Sequence, residues 1–341
     1  MEYIISVIVP VYQCQTTLSA SVHSVLDCPD ERIQLILVDD GSEDDSLQLC
    51  RQFQAQDDRV MVIHQENHGV SSARNKGIET ATGRYLLFLD ADDQMIPQAW
   101  KLILRHAEEG QQDFIGYSYT SVFPNGKMIY QPFPLDGANH TEQYEKIIQM
   151  LFYTPFLCMC WGNLFLREIV EKFHIRFPIS VHLGEDYIFV MDFLSKTVSV
   201  VLVNQPVLLY FQNHSGAVRK VEAEKYITGM NAVWRKSQYL CQDAPFLSYY
   251  DGMCVQQFST LLYYLQLCAR EKGALHGAFK KLLLSPVSKE ILMRVRPKRL
   301  TRLKKMEYTL ASMKSIVPLW MYLKAKAKLK EIREQGRYGK G

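Results

Sequence analysis

Hydrophobic residues follow two alternating rhythms over roughly the first 120 positions. A continuous apolar run, Ile4 to Val9, is what a strand buried on both faces requires. Leu18, Val22, Val25 and Leu26 then recur at helical spacing. Further buried strands are expected at 33–38, 60–63 and 85–89, with helices at 42–53 and 70–81 between them. Ser42 and Asp45 stand in capping-box positions for the first of these helices. Gly83 stands where a left-handed C-cap would end the second. Strand and helix alternate four times through short links, which predicts a parallel sheet with helices on both faces.

In such sheets ligands bind beyond the carboxyl ends of the strands. The residues there are Pro10-Val11-Tyr12, Asp39-Asp40-Gly41-Ser42, Glu66-Asn67-His68-Gly69 and Asp90-Ala91-Asp92-Asp93. Two separate acidic groups therefore fall on the expected ligand edge. Beyond them, 112–135 reads as a hairpin turning at Pro124-Asn125-Gly126. Residues 141–195 read as helices around a loop holding Gly184-Glu185-Asp186, and 198–211 as strand. After about position 220 the pattern is helical. No repeat or low-complexity segment interrupts it.

Composition narrows the classes. The chain has 341 residues, 48% hydrophobic and 22% charged, enough to bury a substantial core. A net charge of only +3 argues against a nucleic-acid-coating protein. The charge is uneven: acids gather near 27–58 and 90–93, and Lys and Arg gather after 294. The eight cysteines form no C-x-x-C pair, so reduced thiols are expected and a zinc site has no pattern behind it. The start lacks a signal-peptide pattern, and no apolar run approaches the roughly 20 residues of a membrane span. A cytoplasmic chain, or one lying peripherally on the inner face of the plasma membrane, is expected.

The strand-end acids carry the candidate chemistry. Asp90 and Asp92 flank Ala91 at the end of a buried strand; paired carboxylates suit Mg2+ or Mn2+, though alone the pattern also fits a solvated turn. Asp40 could accept the imide N–H of a uracil base with Tyr12 stacked on its face, or serve as a helix cap beside a core aromatic. Asp39 suits a ribose or the loop backbone. Arg74 could neutralise the carboxylates or reach a phosphate, or form a surface ion pair.

Four ordered segments resemble glycosyltransferase family 2 over roughly residues 3–215. They are Ser6-Val7-Ile8-Val9-Pro10-Val11-Tyr12, Ile36 to Asp44, Asn67 to Gly77, and Ala81 to Asp93. The resemblance implies a GT-A fold: a mostly parallel, Rossmann-like α/β sheet flanked by helices, here with a C-terminal helical extension. It implies a nucleotide-sugar-binding half at 1–110 and an acceptor-binding half at 111–218; the helical region with a basic tail at 219–341 is read from the sequence pattern and lies outside the resemblance. The resemblance implies transfer of a hexosyl or N-acetylhexosaminyl group with inversion from a nucleotide-sugar, a UDP-sugar being favoured, with Mn2+ or Mg2+ at Asp92 and Asp90. By the same resemblance Pro10, Tyr12, Asp39, Asp40, Arg74 and Ala91 belong to the donor site. Asp186 would be the general base and Glu185 a supporting acceptor contact.

An inverting reaction needs a carboxylate across the sugar from the leaving diphosphate, on a segment other than that of Asp92. Glu185-Asp186 meets that need, and would equally suit a helix N-terminus. Trp161, His214 and Arg219 are candidate acceptor or diphosphate contacts, although Asn163 stands where the family often has lysine. The expected acceptor is a glycan, a lipid-linked oligosaccharide or a polyol. Basic residues from Arg294 on, around Leu319, Trp320 and Met321, suit an anionic membrane or a homo-oligomer contact. The non-catalytic rival is an inactive sugar-nucleotide-binding scaffold. A nucleotidylyltransferase lacks support because no Gly-rich loop follows the first strand.

Overall fold

The computed structural model describes residues 2–133, 140–153, 157–212, 222–242, 246–270, 277–313 and 316–338. The chain divides into two compact units, Met1–Leu151 with Phe156–Asn213, and Phe152–Pro155 with His214–Gly341.

The first unit opens as the apolar rhythm predicts: β1 (Ile5–Val11), α1 (Leu18–Leu26), β2 (Ile33–Asp40), α2 (Ser46–Gln56), β3 (Val60–Gln65), α3 (Val70–Thr80) and β4 (Tyr85–Phe88). The remainder is β5 (Gln94–Met95), α4 (Trp100–Glu109), β6 (Phe114–Val122), β7 (Met128–Gln131), α5 (His140–Tyr153), β8 (Leu164–Leu166), α6 (Arg167–Lys172), α7 (Glu185–Leu194) and β9 (Val200–Phe211). The sheet order is β3-β2-β1-β4-β8-β6-β9-β5, with β7 on β6. β3, β2, β1 and β4 run parallel; β8 runs against both β4 and β6; β9 runs with β6. The strand order reverses at β1, whose two neighbours are β2 and β4, and a ligand-binding crevice belongs at that edge.

Ile5, Val7, Ile8, Val9 and Val11 of β1 are fully buried. Each contributes about 1.5–3 kcal/mol of hydrophobic stabilisation, which fixes β1 at the centre of the sheet. α3 lies hard against it: a Cβ on Gly77 would sit 2.3 Å from Ile8 Cγ2. Glycine there sets how near Arg74, one turn earlier, comes to the strand ends.

Three local expectations change. α2 begins at Ser46, behind Asp45, and Ser42 Oγ instead accepts from Gln13 N at 3.1 Å, tying the loops after β1 and β2 together. Gly83 is no helix cap, because α3 stops at Thr80; Gly83 N donates to Ser6 Oγ, and a Cβ there would lie 2.6 Å from Ser6 N. β8 is a three-residue strand inside a region whose apolar run reads as helix, since so short a segment carries no period of its own. The hairpin turn does form, with Gly126 at φ 78° between β6 and β7.

The second unit is helical: α8 (Ala223–Leu240), α9 (Tyr250–Arg270), α10 (Ala278–Leu283), α11 (Pro286–Arg294), α12 (Arg302–Ser312) and α13 (Ile316–Tyr338). Among the described residues no helix is long and apolar enough to cross a membrane.

Candidate active site

The loops after β1 and β2 form one rim of the site. Gln13 adopts φ 47°, Cys14 N donates to Ser46 Oγ and Gln15 N to Asp44 Oδ2, so the chain after Tyr12 is pinned to the start of α2. Tyr12 itself is 47% exposed, an aromatic face open to solvent at a strand end. Strand alternation sends Asp39 and Asp40 to opposite sides of the sheet. Asp39 is buried; its Oδ2 lies 2.7 Å from His64 Nδ1 and accepts from Ser42 N, while Oδ1 has no partner among the described residues. Asp40 is also buried. Its carboxylate accepts from Gln65 Nε2 (2.7 Å), His68 N (2.9 Å) and Gly69 N (2.8 Å). It therefore clasps the loop that leads into α3, and any base contact would share those oxygens with three existing donors. Gly41 and Gly69 allow this folding-back, at φ 73° and 88°; a Cβ on Gly41 would meet Asn67 N at 2.8 Å.

Asp90, Asp92 and Asp93 follow β4. Asp90 is partly buried, Asp92 exposed, and Asp93 buried. Asp93 Oδ1 accepts from Phe211 N at 2.9 Å, and Oδ2 finds no partner among the described residues. Burial, then the charge of Asp90, push the Asp93 carboxyl up to about 9. The hydrogen bond from Phe211 also ties the acid loop to the end of β9.

Arg74 reaches this cluster from α3, and it is neither at the surface nor open to a phosphate. Its side chain is buried over the Phe177 ring, 5.2 Å from the centroid. Nη2 donates to Asp90 Oδ1 at 2.8 Å; Nη1 donates to Asp186 Oδ1 at 2.5 Å and to Glu185 Oε1 at 3.4 Å. Burial opposes its charge, but the carboxylates of Asp186, Asp90 and Glu185 hold its pKa well above the ordinary arginine value. One guanidinium thus brings the end of β4 together with the start of α7.

Gly184, at φ 89°, starts α7 and sets Glu185 and Asp186 in its first turn, where the helix dipole favours negative charge. Burial is nonetheless the larger influence. It raises both carboxyls, Glu185 to about 7, with the neighbouring Asp186 charge adding to the rise and Arg74 opposing it. A carboxylate that ionises near neutrality is matched to accepting a proton from an alcohol.

Trp161 is only 7% exposed and is stacked on Tyr210, with centroids 5.2 Å apart and planes at 16°. Tyr119 meets both rings edge-on. Of this trio Tyr119 and Tyr210 are the more accessible. Tyr210 lies beside the acid loop, next to Phe211, whose N–H donates to Asp93; burial, then the charges of Asp93, Asp90 and Asp92, raise its phenol to about 12. Its position in an apolar strand gave no signal of that. Asn163 is buried and structural; Oδ1 accepts from Tyr117 N and Nδ2 donates to Met159 O. His214 and Arg219 lie outside the described residues.

Asp90, Asp92 and Asp93 offer carboxyl oxygens, the donor type that a hard divalent cation takes. All three stand within four residues, and one oxygen of the buried Asp93 carboxyl has no partner among the described residues. Among the described residues no group of three or more His, Cys, Asp or Glu is placed to hold a metal ion. An ion held by Asp92 and Asp90 would take its remaining oxygens from ligand phosphates, as Mg2+ commonly does.

A Rossmann-like parallel half-sheet continued by a mixed half, with acids at the strand ends, defines the GT-A class of fold. Residues 6–173 match Glycosyl transferase family 2. The chain is 38% identical over 235 residues to glycosyltransferase GlyG of Streptococcus pneumoniae serotype 4, covering 65% of this chain and 75% of that protein. It is 29% identical over 213 residues to the uncharacterized glycosyltransferase EpsJ of Bacillus subtilis, covering 62% of this chain and 61% of EpsJ. The fold resembles S. aureus TarS 1-349 in complex with UDP-GlcNAc, with a TM-score of 0.60 and 16% identity over 95% of this chain and 92% of that one. It also resembles mannosyltransferase PcManGT from Pyrobaculum calidifontis, in complex with GDP-Man and Mn2+, with a TM-score of 0.51 and 13% identity over 96% and 86%. The chain belongs to glycosyltransferase family 2.

Proposed function

We propose that the chain transfers a hexosyl or N-acetylhexosaminyl group from a nucleotide-sugar, with UDP as the carrier, to a hydroxyl of a glycan, lipid-linked oligosaccharide or polyol. The setting is cell-surface polysaccharide synthesis, and the anomeric carbon inverts. The observation that carries this reading is the Arg74 bridge, which holds Asp90 of the donor-side cluster and Asp186 within reach of one guanidinium. The nucleotide complexes of TarS and PcManGT support the donor class.

In this reading residues 1–110 bind the donor, 111–218 the acceptor, and 219–341 add a helical region. Tyr12 stacks on the base beside Pro10, with Asp39 and Asp40 shaping the ribose and base side. Asp92, Asp90 and the intervening Ala91 face the diphosphate. A Mg2+ or Mn2+ held by Asp92 and Asp90 supplies charge neutralisation for the departing diphosphate. Asp186 accepts the proton of the acceptor hydroxyl as that oxygen bonds to the anomeric carbon and the bond to the diphosphate breaks. Glu185 orients the acceptor and shares the local negative charge. Arg74 keeps Asp186 aimed and opposes the rise in its proton affinity. Tyr210 and Tyr119, backed by Trp161, offer aromatic surface for a sugar ring. His214 and Arg219 remain candidates for the diphosphate side.

The acceptor classes would place the chain peripherally at the inner face of the plasma membrane, reached through its basic C-terminal region. The test is a screen of UDP- and GDP-sugars for hydrolysis or transfer with and without Mn2+, using Asp92→Asn and Asp186→Asn as controls. Turnover lost at least about 100-fold in both variants supports the reading. Nucleotide binding without any turnover in the unaltered protein would instead assign a scaffold.

A further inference from the structure

The helical unit carries a charge asymmetry that the transfer reaction does not use. Twelve of the chain's 39 Lys and Arg, but only one of its 36 Asp and Glu, fall between positions 294 and 330. That one acid, Glu307, is buried and bonded to Lys326. Arg296 and Arg299 face Asp251. Arg302, Lys305, Lys324 and Lys328 have no ion pair among the described residues, and all four are exposed.

These cations share their helix faces with exposed apolar side chains. Both α12 and α13 pack on α9. Lys304 Nζ donates to Ser259 Oγ and Tyr308 meets Phe258 from α12, while Leu319, Leu323 and Ala327 are the buried side of α13. On α12, Arg302, Met306 and Thr309, with Met313 just beyond its end, recur at steps of four, three and four on the outward face. Val317, Met321, Lys324 and Lys328 recur at the same steps on α13. Leu303 flanks the first stripe, and the Lys324 ammonium covers the Trp320 ring at 4.5 Å. The apolar members Leu303, Met306, Met313, Val317 and Met321 are between 41% and 70% exposed.

We propose that the outward faces of α12 and α13 form a docking surface for an anionic lipid bilayer. A soluble polyanion would account for the cations but not for five exposed apolar side chains among them. A bilayer accounts for both, with Met, Val and Leu entering the headgroup boundary while Lys and Arg reach lipid phosphates. A two-fold contact with a second copy of the chain fits poorly, because among the described residues the face offers its own cations no exposed acid to meet. The proposal deepens the membrane-side location in the reading above, and its test requires no turnover, so the two stand or fall separately.

The experiment is flotation of the full chain with vesicles of phosphatidylcholine alone and of phosphatidylcholine with phosphatidylglycerol. Recovery is expected only with the anionic vesicles, and is expected to fall as salt rises. Lys305→Glu with Lys324→Glu, and separately Met306→Ser with Met321→Ser, are each expected to weaken recovery at least about tenfold. Because all four positions are exposed, unchanged circular dichroism and thermal midpoint check that the fold persists. Light scattering on unbound protein reads self-association. Absence of recovery with anionic vesicles, unchanged recovery of the serine variant, or a dimer that both variants dissolve would each overturn the proposal.

Discussion

Arg74 and Asp186, 112 positions apart in the chain, are joined through Nη1 and Oδ1 at 2.5 Å, and the other terminal nitrogen of the same arginine holds Asp90. A buried cation with three carboxylates is costly to desolvate, and it becomes far costlier when one side is removed. In the proposed reaction the bridge would couple two duties that act on opposite sides of one sugar. Two variants separate its roles. Arg74→Met leaves Asp90, Glu185 and Asp186 uncompensated and is expected to destabilise the fold by about 3–5 kcal/mol, read by denaturant unfolding. Arg74→Lys keeps a charge but not a fork that can serve Asp90 and Asp186 together. It is expected to be milder in stability while still lowering turnover at least about tenfold. Equal stability of the methionine variant and the unaltered protein would show that the bridge does not form.

The pair at the start of α7 sets a pH dependence. Glu185 is pushed to about 7, and Asp186 moves in the same direction, both chiefly through burial. A general base works only when ionised, and burial raises Asp186, so kcat/KM is expected to rise with pH along a limb that lies above the ordinary aspartate range. Glu185→Gln removes the neighbouring charge, which lowers the proton affinity of Asp186 and should shift that limb to lower pH. Asp186→Asn should abolish the limb along with the activity. A limb unmoved by Glu185→Gln would place the titrating group elsewhere.

Much of this arrangement could be read from the sequence. The unbroken apolar runs of β1, β2 and β4 fix buried parallel strands, and the polar residues after them mark the ligand edge. The Arg74 bridge could not be read, because nothing in the sequence tells which carboxylates a helix arginine will meet 16 or 112 positions away. Asp40 carries a structural duty that its type and place do not reveal: the loop folds back at Gly69, and the carboxylate accepts from the backbone of His68 and Gly69. Gly83 looked like a helix cap and is instead a point of close approach to Ser6. Tyr210 was hidden because an aromatic in an apolar strand has no distinguishing local pattern.

Asp40 and Tyr12 can be told apart by stability. Asp40→Ala would orphan the N–H groups of His68 and Gly69, and a loss of about 1–3 kcal/mol is expected in thermal or denaturant unfolding. Tyr12→Ala removes an exposed ring and should leave stability within about 0.5 kcal/mol. It should still weaken nucleotide binding by isothermal titration, through lost stacking on the base. A Tyr12 variant that binds nucleotide unchanged would remove the ring from the donor site.

Asp93 gives a prediction about the metal-free protein. Its folded-state pKa, about 9, stands far above the ordinary 3.8, raised first by burial and then by Asp90. Between those values the folded chain holds a proton that the unfolded chain has released. The contribution to stability is therefore complete at acidic pH and is lost as pH rises toward 9. Asp93→Asn cannot ionise, so its thermal midpoint in chelator should exceed that of the unaltered protein by an amount that grows from mildly acidic to mildly alkaline pH. Solvent relaxation should hold the gain to about 1–3 kcal/mol. Parallel midpoints across that range would mean that Asp93 is ionised in the folded protein.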